Sequence, residues 1–467
     1  NTDNLLDGAI KQMLGKLDPH SVYIPKENLQ AVTENMQGNF VGIGVQFRMI
    51  GDSITVVQTI KGGPSIKAGI KAGDRILMAN KDTLFGKKFF NGQVPKYLKG
   101  KPNTKVNLQI YRKSNDSLFN LKITRGKVNI KSVDIAYMIN DTVGYIKLDR
   151  FARNTYKEFK TALNNLQQKG MTDLVLDLRG NLGGFIDIAN SIVDEFLEDD
   201  KLIVYTKNNK GNIEKSFATE KGSFENGGLY VLIDENSASA SEIVAGALQD
   251  NDKGTIIGRR SFGKGLVQRP IDLSDGSQIR LTIARYFTPS GRFIQKSYED
   301  KEAYENDYLN RYLHGEFSSR DSIHLADSLL RHTLITKREV YGGGGIMPDL
   351  FVPIDTTGSS IYYSSLLYST AFRDFCFDYI DKNRSQFNYK DVEDYNANFN
   401  ISESLLKDFI DYAENKLSIV KTESEFQHSK ARIKNQLKSE LGTYLYDVSA
   451  RSLINMPFDK DVQEAIH

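Results

Sequence analysis

One stretch of the sequence, residues 229–268, limits the fold more than any other. Its apolar run at residues 229–233 is short, rich in β-formers and bounded by Gly and Asp, which predicts a buried strand. Apolar residues then recur at helical spacing between positions 243 and 248, and a second apolar run at residues 255–258 predicts the neighbouring strand. A serine cluster, residues 237–241, therefore lies on a strand-to-helix turn.

This turn has two interpretations. Backbone N–H groups at a helix start are unpaired and the helix dipole favours negative charge, so an acyl-transfer enzyme could place a nucleophilic serine and an oxyanion hole there. Alternatively, Ser239 and Glu242 form a capping box, which is the usual reason for a serine before a helix.

Lys264 favours the chemical interpretation. It lies between Gly263 and Gly265, after the second predicted strand, so it could return to the serine turn. A lysine acts as a general base only when burial makes it neutral near pH 7. Ser-Lys pairs are a known variant of the serine nucleophile theme.

Composition restricts the class of protein. A length of 467 residues predicts about two to four domains, and 40% hydrophobic with 26% charged residues is typical of a soluble globular chain. The net charge of +2, without a basic stripe, argues against nucleic acid as the main partner. Cys376 is the only cysteine, which excludes an intramolecular disulfide framework and a cysteine-rich zinc site. The chain begins at Asn1 without an initiator methionine, which we interpret as trimming, so the absence of a targeting signal is uninformative.

The first two segments differ in their sequence pattern. Residues 1–37 predict an N-terminal helical segment, in which an amphipathic helix over residues 5–17 ends in a turn at residues 18–21. We interpret His20 in that turn as a packing or turn histidine, because it has no ligand-like neighbours. Residues 38–127 then predict short alternating strands with one short helix near residues 64–70.

The strand order of residues 38–127 resembles a PDZ domain. In that family a glycine-rich loop holds the C-terminal carboxylate of a peptide through backbone N–H groups, and the adjoining strand edge accepts an added strand. The alternative is a small β-barrel used only for packing. The residues at the position of the peptide-binding loop are Gly42, Ile43, Gly44 and Val45.

Residues 128–355 alternate strand and helix, which predicts an α/β domain with a largely parallel sheet. The pair Gly183-Gly184 follows a strand and precedes a helix; it is either a tight turn only or a place where N–H groups face a reacting oxygen. Residues 298–335 are dense in charge and tyrosine and predict a helical insertion. Residues 356–467 predict a helical C-terminal domain, with helices over 362–381, 403–417 and 423–441.

Two other chemistries fit this sequence poorly. Residues 258–265 are one residue short of a P-loop, which needs Ser or Thr at 265, and the segment after Lys264 predicts a strand where a phosphate loop needs a helix. A Ser-His-Asp hydrolase is also a poor fit, because the sequence has no Gly-x-Ser-x-Gly elbow. The six histidines lie away from the central stretch in sequence, which weakens this class without excluding it.

From residues 17–23 to 345–349, about three quarters of the chain resembles the carboxyl-terminal processing peptidases, also called tail-specific proteases. The most specific motifs lie at residues 237–243 and 262–268, and residues 177–184 and 288–292 also match. The resemblance implies an α/β protease core of crotonase/ClpP-like βαβ units with an inserted, mainly β PDZ domain. The α-helical C-terminal region and the insertion fall outside the shared pattern.

The resemblance also implies roles for individual residues. Ser239 would be the nucleophile, Lys264 the general base and Gln268 the residue that orients the lysine. An amide suits that task, because it holds a neutral amine where a carboxylate would raise the pKa of the amine. The oxyanion hole would be the N–H of Ala240 and of one glycine of the Gly183-Gly184 turn, and the sequence leaves that choice open.

The implied protein is a serine endopeptidase that recognises C-terminal regions of protein substrates, with no metal, nucleotide or other cofactor. It would be exported, periplasmic or envelope-associated, and we also expect a homodimer and a regulatory or adaptor partner. The competing class is a non-catalytic PDZ adaptor on an inactive protease fold. The intact set of Ser239, Lys264 and Gln268 argues against it, because a degenerate site usually loses at least one such residue.

Overall fold

The computed structural model describes residues 2–86, 89 and 92–467, and it divides into two compact units. The core unit comprises residues up to 38, 131–355 and 460–467; the second unit comprises 39–130 and 356–459. Within the described residues, no helix is both long enough and apolar enough to span a membrane.

The helices of the described residues are numbered in chain order. They are α1 (Thr2–Leu14), α2 (Lys26–Gln37), α3 (Pro64–Lys67), α4 (Pro95–Leu98), α5 (Thr155–Gln168), α6 (Ile186–Asp194), α7 (Ala240–Asp250), α8 (Lys301–Glu305), α9 (Asp307–Leu313), α10 (Ile361–Tyr368), α11 (Ala371–Asn383), α12 (Val392–Asn398), α13 (Glu403–Leu417), α14 (Glu423–Leu445), α15 (Val448–Asn455) and α16 (Lys460–Ile466).

The strands are numbered in the same way. They are β1 (Val22–Ile24), β2 (Asn39–Gly42), β3 (Val45–Ile50), β4 (Ser53–Thr59), β5 (Asp74–Ala79), β6 (Asp82–Thr83), β7 (Lys105–Arg112), β8 (Ser117–Thr124), β9 (Gly126–Asn129), β10 (Val133–Met138), β11 (Val143–Leu148), β12 (Asp173–Asp177), β13 (Leu202–Asn208), β14 (Ile213–Phe217), β15 (Gly228–Ile233), β16 (Thr255–Gly258), β17 (Leu266–Asp272), β18 (Gln278–Phe287), β19 (Leu330–His332), β20 (Glu339–Tyr341) and β21 (Leu350–Phe351).

The main sheet of the core unit has the order β10-β11-β12-β15-β16-β21. All neighbours in it are parallel except β10, which runs antiparallel to β11 at one edge. The predicted α/β core with a largely parallel sheet is therefore confirmed, whereas its likeness to crotonase and ClpP stays a prediction. Because parallel strands end at the same edge, the turn after β15 lies where such sheets build their sites.

A second, antiparallel sheet of the core unit brings distant segments together. It has the order β1-β18-β13-β14, and β17 also pairs with β18. Val22 of β1 lies opposite Arg280 of β18, and Gln268 of β17 lies opposite Thr282. The turn before β1 is thereby held beside the strand that follows Lys264.

The second unit joins the PDZ segment to the C-terminal helices. A sheet of order β3-β4-β5-β7-β8, with β6 on β5, is accompanied by the β2-β9 pair. Asp381 of α11 receives hydrogen bonds from Arg75 of β5 and Lys113, with Nη2 and Nζ at 2.8 and 2.9 Å. Val57 of β4 is buried in the same hydrophobic cluster as the helices, so both segments contribute to one core.

Three features differ from the sequence predictions. The helix predicted over 362–381 is two helices, because Ser369 Oγ accepts the N–H of Ala371 at 3.1 Å and starts α11. The insertion at 298–335 contains α8 and α9 but also strand β19, which pairs with β20. Residues 460–467, which the sequence assigned to the helical C-terminal domain, lie in the core unit, where Asp461 and Arg179 form an ion pair at 2.7 Å.

Candidate active site

Ser239 lies at the start of α7, directly after the turn that follows β15. Its backbone has φ 57° and ψ −113°, a conformation that a residue with a side chain rarely adopts and that is found most often at functional sites. Glu242 Oε2 accepts the N–H of Ser239 at 2.8 Å, which confirms the predicted capping box. The capping interpretation is therefore confirmed; it does not exclude the chemical interpretation of Ser239, which stays a prediction.

Glu242 also reaches the loop that contains the lysine. Its fully buried carboxylate accepts the N–H of Gly263 at 2.7 Å, the N–H of Lys264 at 2.9 Å and the hydroxyl of Ser261 at 2.6 Å. Burial raises the pKa of Glu242 to about 7, and these hydrogen bonds oppose that rise. One carboxylate thus fixes the backbone of Ser239 to the backbone of Lys264.

Tyr286 makes a second link between the same two residues. Its buried hydroxyl oxygen lies 3.1 Å from the carbonyl oxygen of Ser239 and 2.5 Å from that of Lys264. The structure therefore brings the serine turn and the lysine loop together, as Lys264 requires if it is to act on Ser239.

The side chain of Lys264 is held by an amide. Its Nζ donates to Gln268 Oε1 at 3.1 Å. Burial lowers the pKa of Lys264, and the positive charge of Arg280 lowers it further, while Glu242 and Asp18 raise it. Lowering the pKa increases the neutral fraction that a lysine general base needs.

A strand irregularity places Gln268. The pairing of β17 with β18 shifts register between Val267 and Gln268, and such bulges re-aim a side chain. The Nε2 of Gln268 donates to the backbone carbonyl of His20. Gln268 therefore connects Lys264 to the turn at residues 18–21, although His20 and Gln268 are 248 positions apart.

The glycine turn packs against the start of α7. Gly183 has φ 98°, and a Cβ there would lie 2.8 Å from Ser239 Cβ and 2.9 Å from the amide nitrogen of Ala240. At Gly184 a Cβ would lie 2.2 Å from the carbonyl oxygen of Phe151. Neither position has room for a side chain, which explains why a glycine pair is needed beside the serine.

Sequence reasoning missed two contributors to this site. It assigned Glu242 to the capping box alone and interpreted His20 as a packing or turn histidine. The sequence signal for His20 was the turn that contains it. In the structure Asp18 Oδ1 accepts the N–H of His20 at 2.8 Å and the N–H of Ser21 at 2.9 Å, as in an Asx turn. Nothing local signalled that Glu242 would also bind residues 261–264.

The predicted peptide-binding loop of the PDZ segment lies between β2 and β3. The carbonyl of Ile43 accepts the N–H and hydroxyl of Ser65 at 2.8 and 2.6 Å, and the carbonyl of Gly44 accepts the N–H of Ile60 at 2.9 Å. Val45 opens β3, which is an edge strand of its sheet. Among residues 2–86, 89 and 92–467, no group of three or more His, Cys, Asp or Glu side chains could hold a metal ion.

Comparison with protein families gives three matches along the chain. Residues 142–302 match Peptidase family S41, and residues 41–123 match the PDZ domain family. Residues 362–447 match a family of unknown function, DUF8443. The predicted PDZ resemblance is thereby confirmed, and the matched peptidase segment contains Ser239, Lys264 and Gln268.

Individual relatives agree with the family matches. A carboxy-terminal-processing protease of Bartonella bacilliformis is 38% identical over 296 residues, which cover 62% of this chain and 67% of the relative. The carboxy-terminal processing protease CtpB of Bacillus subtilis is 34% identical over 299 residues, which cover 63% of this chain and 61% of CtpB. Among solved structures, the photosystem II D1 C-terminal processing protease is 26% identical, with a TM-score of 0.40 over 75% of this chain and 82% of that one.

Proposed function

Because this chain belongs to the carboxy-terminal-processing proteases of peptidase family S41, we propose that it is a serine endopeptidase that cleaves C-terminal regions of protein substrates through Ser239, Lys264 and Gln268. The observation that carries the proposal is a lysine of lowered pKa, held by an amide and fixed through Glu242 to the backbone of Ser239. A lysine general base must be partly neutral and held beside the serine turn, and these features supply both.

In the proposed reaction Lys264 Nζ removes the proton from Ser239 Oγ as that oxygen attacks the scissile carbonyl carbon. The resulting ammonium donates to Gln268 Oε1, which stabilises it without a counter-charge. Collapse of the tetrahedral intermediate breaks the C–N bond, and the lysine returns the proton to the leaving amine. Water, activated by the same lysine, then hydrolyses the acyl-enzyme and restores the hydroxyl of Ser239.

We assign the oxyanion hole to the N–H groups of Ala240 and Gly184. Gly183 is the less suitable donor, because its N–H donates to Asn181 Oδ1 at 2.9 Å. Gly183 instead supplies the close approach to Ala240 that brings the turn next to the nucleophile. Two backbone donors aimed at the developing negative charge would supply a large share of the rate enhancement.

Substrate selection is assigned to the PDZ segment. The loop of Gly42, Ile43, Gly44 and Val45 would receive a terminal carboxylate, and the peptide would extend β3 as an added strand. This arrangement selects free C-termini, and peptide binding would regulate the protease site. Export to the periplasm or cell envelope, a homodimer and a regulatory protein partner belong to the same proposal and rest on the family resemblance.

The test is cleavage of an unstructured protein with an apolar C-terminus, without metal or ATP, by wild type, Ser239→Ala and Lys264→Ala. Mass spectrometry of the products locates the cuts. We expect cuts by the wild type and none by either variant, with circular dichroism showing that both variants fold. Equal cutting by Lys264→Ala would disprove the Ser-Lys mechanism. A folded wild type that does not cut is either latent, awaiting a PDZ ligand or partner, or an adaptor, and a Ser239 that stays unreactive toward serine acylating reagents with a tail peptide bound would favour the adaptor function.

A further inference from the structure

The turn at residues 18–21 is fixed from two sides. Asp18 accepts the N–H groups of His20 and Ser21, and Ser21 Oγ donates to Asp18 Oδ2 at 2.5 Å. Thr282 of β18 binds both ends of this turn: its Oγ1 donates to Asp18 Oδ1 at 3.0 Å, and its N–H donates to Ser21 Oγ at 3.1 Å. These bonds hold Asp18 and Ser21, on either side of His20, against β18.

The backbone carbonyl of His20 determines which way the amide of Gln268 faces. A carbonyl oxygen only accepts hydrogen bonds, so the Gln268 group that meets His20 must be the NH2 group. The oxygen of the amide is consequently turned to Lys264 Nζ, 3.1 Å away. The oxygen and the NH2 group of this amide thus have different partners. If the amide were reversed, its NH2 group would face the ammonium of Lys264, and both groups are hydrogen-bond donors.

The imidazole of His20 is held by the insertion. His20 Nε2 lies 2.8 Å from the hydroxyl oxygen of Tyr304 on α8, and its ring packs edge-on against Tyr304 and Phe262. Lys296 Nζ lies over both of these aromatic rings, at 4.5 and 4.1 Å from their centroids. Burial, followed by the charge of Lys264, lowers the pKa of His20 to about 4, so the imidazole is neutral at pH 7.

We propose that His20 and Tyr304 are positioning residues for the Ser-Lys chemistry: Tyr304 holds the imidazole of His20, and the backbone carbonyl of His20 holds the NH2 group of Gln268. The amide oxygen of Gln268 is thereby kept toward Lys264, so that the lone pair of Lys264 Nζ stays available to Ser239. This inference rests on the proposed function. It assigns a role to the insertion at 298–335, most of which lies beyond residues 142–302, the segment that matches Peptidase family S41.

The orientation matters because Lys264 must accept a proton. With the amide oxygen toward it, neutral Nζ donates one N–H to Gln268 and keeps its lone pair for the Ser239 hydroxyl. With the amide reversed, the NH2 group of Gln268 would donate to that lone pair and occupy the base. Reversal would also remove an acceptor that stabilises the ammonium, which lowers the apparent pKa of the base.

The test measures the rate at which a small fluorophosphonate probe labels Ser239 in the full chain between pH 5 and pH 10. This rate reports on the serine and its base without involving the PDZ segment. The variants are Tyr304→Phe, which removes one hydroxyl, His20→Phe, which keeps a ring, and the double variant. Tyr312→Phe is the matched control, since it removes the hydroxyl of an exposed tyrosine of the same insertion; Ser239→Ala gives the background.

We expect Tyr304→Phe and His20→Phe each to lower the plateau rate about three- to tenfold and to move the midpoint of the pH profile to lower pH. The double variant should be no slower than the slower single variant, because both remove the same hydrogen bond. Other charges facing Lys264, from Arg280, Glu242 and Asp18, are unchanged in all variants. Tyr312→Phe should match the wild type.

Two results would overturn the inference alone: wild-type profiles in both single variants, or a lower plateau with an unmoved midpoint, which indicates a structural role only. Thermal unfolding by circular dichroism checks the fold, and Tyr304→Phe decides the question if His20→Phe is unfolded. Absence of labelling in the folded wild type would overturn the proposed function, and this inference with it.

Discussion

Each end of helix α7 has a buried carboxylate, and the two carboxylates differ in the groups that bind them. Glu242, at the first turn, accepts hydrogen bonds from three backbone N–H groups and one hydroxyl. Asp250, at the last turn, pairs with the guanidinium of Arg292 at 2.5 Å, and both side chains are fully buried. Ser290 adds its N–H and hydroxyl to Asp250 at 2.8 and 2.6 Å.

On this one helix, Asp250 therefore stabilises the fold, whereas Glu242 positions the residues of the candidate site. An ion pair such as Asp250–Arg292 fixes the helix to the turn at residues 288–292, and losing one partner leaves a buried charge unbalanced. The partners of Glu242 are neutral groups of Ser239 and of the loop that contains Lys264. We therefore expect substitutions at Asp250 to act on stability and substitutions at Glu242 to act on the chemistry.

The largest effect on stability is expected for Asp250→Asn. The substitution leaves the buried charge of Arg292 without its counter-ion, so the free energy of unfolding should fall by about 3–5 kcal/mol. Urea denaturation monitored by circular dichroism measures it. Glu198→Gln, which breaks an exposed ion pair with Lys201, is the control and should change stability by less than about 1 kcal/mol. A loss below about 1 kcal/mol for Asp250→Asn would contradict this assignment.

Glu242→Gln should affect the reactivity of Ser239 more than the stability of the fold. An amide offers one acceptor oxygen where the carboxylate has two, and its NH2 group would face N–H donors. We expect the free energy of unfolding to fall by about 1–3 kcal/mol, while fluorophosphonate labelling of Ser239 in the folded fraction slows at least about tenfold. If labelling of folded Glu242→Gln equals that of the wild type, the two ends of α7 do not differ as described.

The pH dependence of stability should contain a contribution from Glu242. The pKa of Glu242 is raised to about 7 in the folded chain, so between about pH 4.5 and 7 the folded state binds more protons than the unfolded state. Stability from this group is therefore lost as the pH rises through that range. Relative to Glu242→Gln, the wild type should lose about 1–3 kcal/mol from pH 4.5 to 7.5, measured by urea titrations at several pH values. A pH-independent difference would refute this assignment.

A carboxylate in the second unit provides the smallest expected effect. Burial works against its ionisation, yet hydrogen bonds from Arg75 and Lys113 hold the pKa of Asp381 below its ordinary value. Asp381→Asn should reduce the free energy of unfolding of that unit by about 1–2 kcal/mol, and Lys113→Ala, at a half-exposed lysine, by less than about 1 kcal/mol. Labelling of Ser239 should stay within about twofold of the wild type in both. A tenfold slower rate would mean that the second unit directly controls the reactivity of Ser239.

Local patterns explain what the sequence predicted well. The strands β15 to β18 and helix α7 follow from apolar periodicity, and the capping box follows from a three-residue spacing. The contact between His20 and Gln268 has no such signal, because it depends on β1 and β17 both pairing with β18. The joint core of β4 and the C-terminal helices is equally invisible, since a half-buried strand has the same alternation whatever covers its second face.

Helix α7 has one further consequence, for a chain that is only partly folded. Every residue from Ala240 to Asp250 is buried, so this helix has no face suited to water and gains its stability only from the finished core. Helix α16 packs against β15 and β16, the strands before and after α7 in the chain. In the proposed function, the placement of Ser239 at the start of α7 therefore depends on the packed core around this helix, and a chain whose core unit is only partly folded should not hydrolyse substrate.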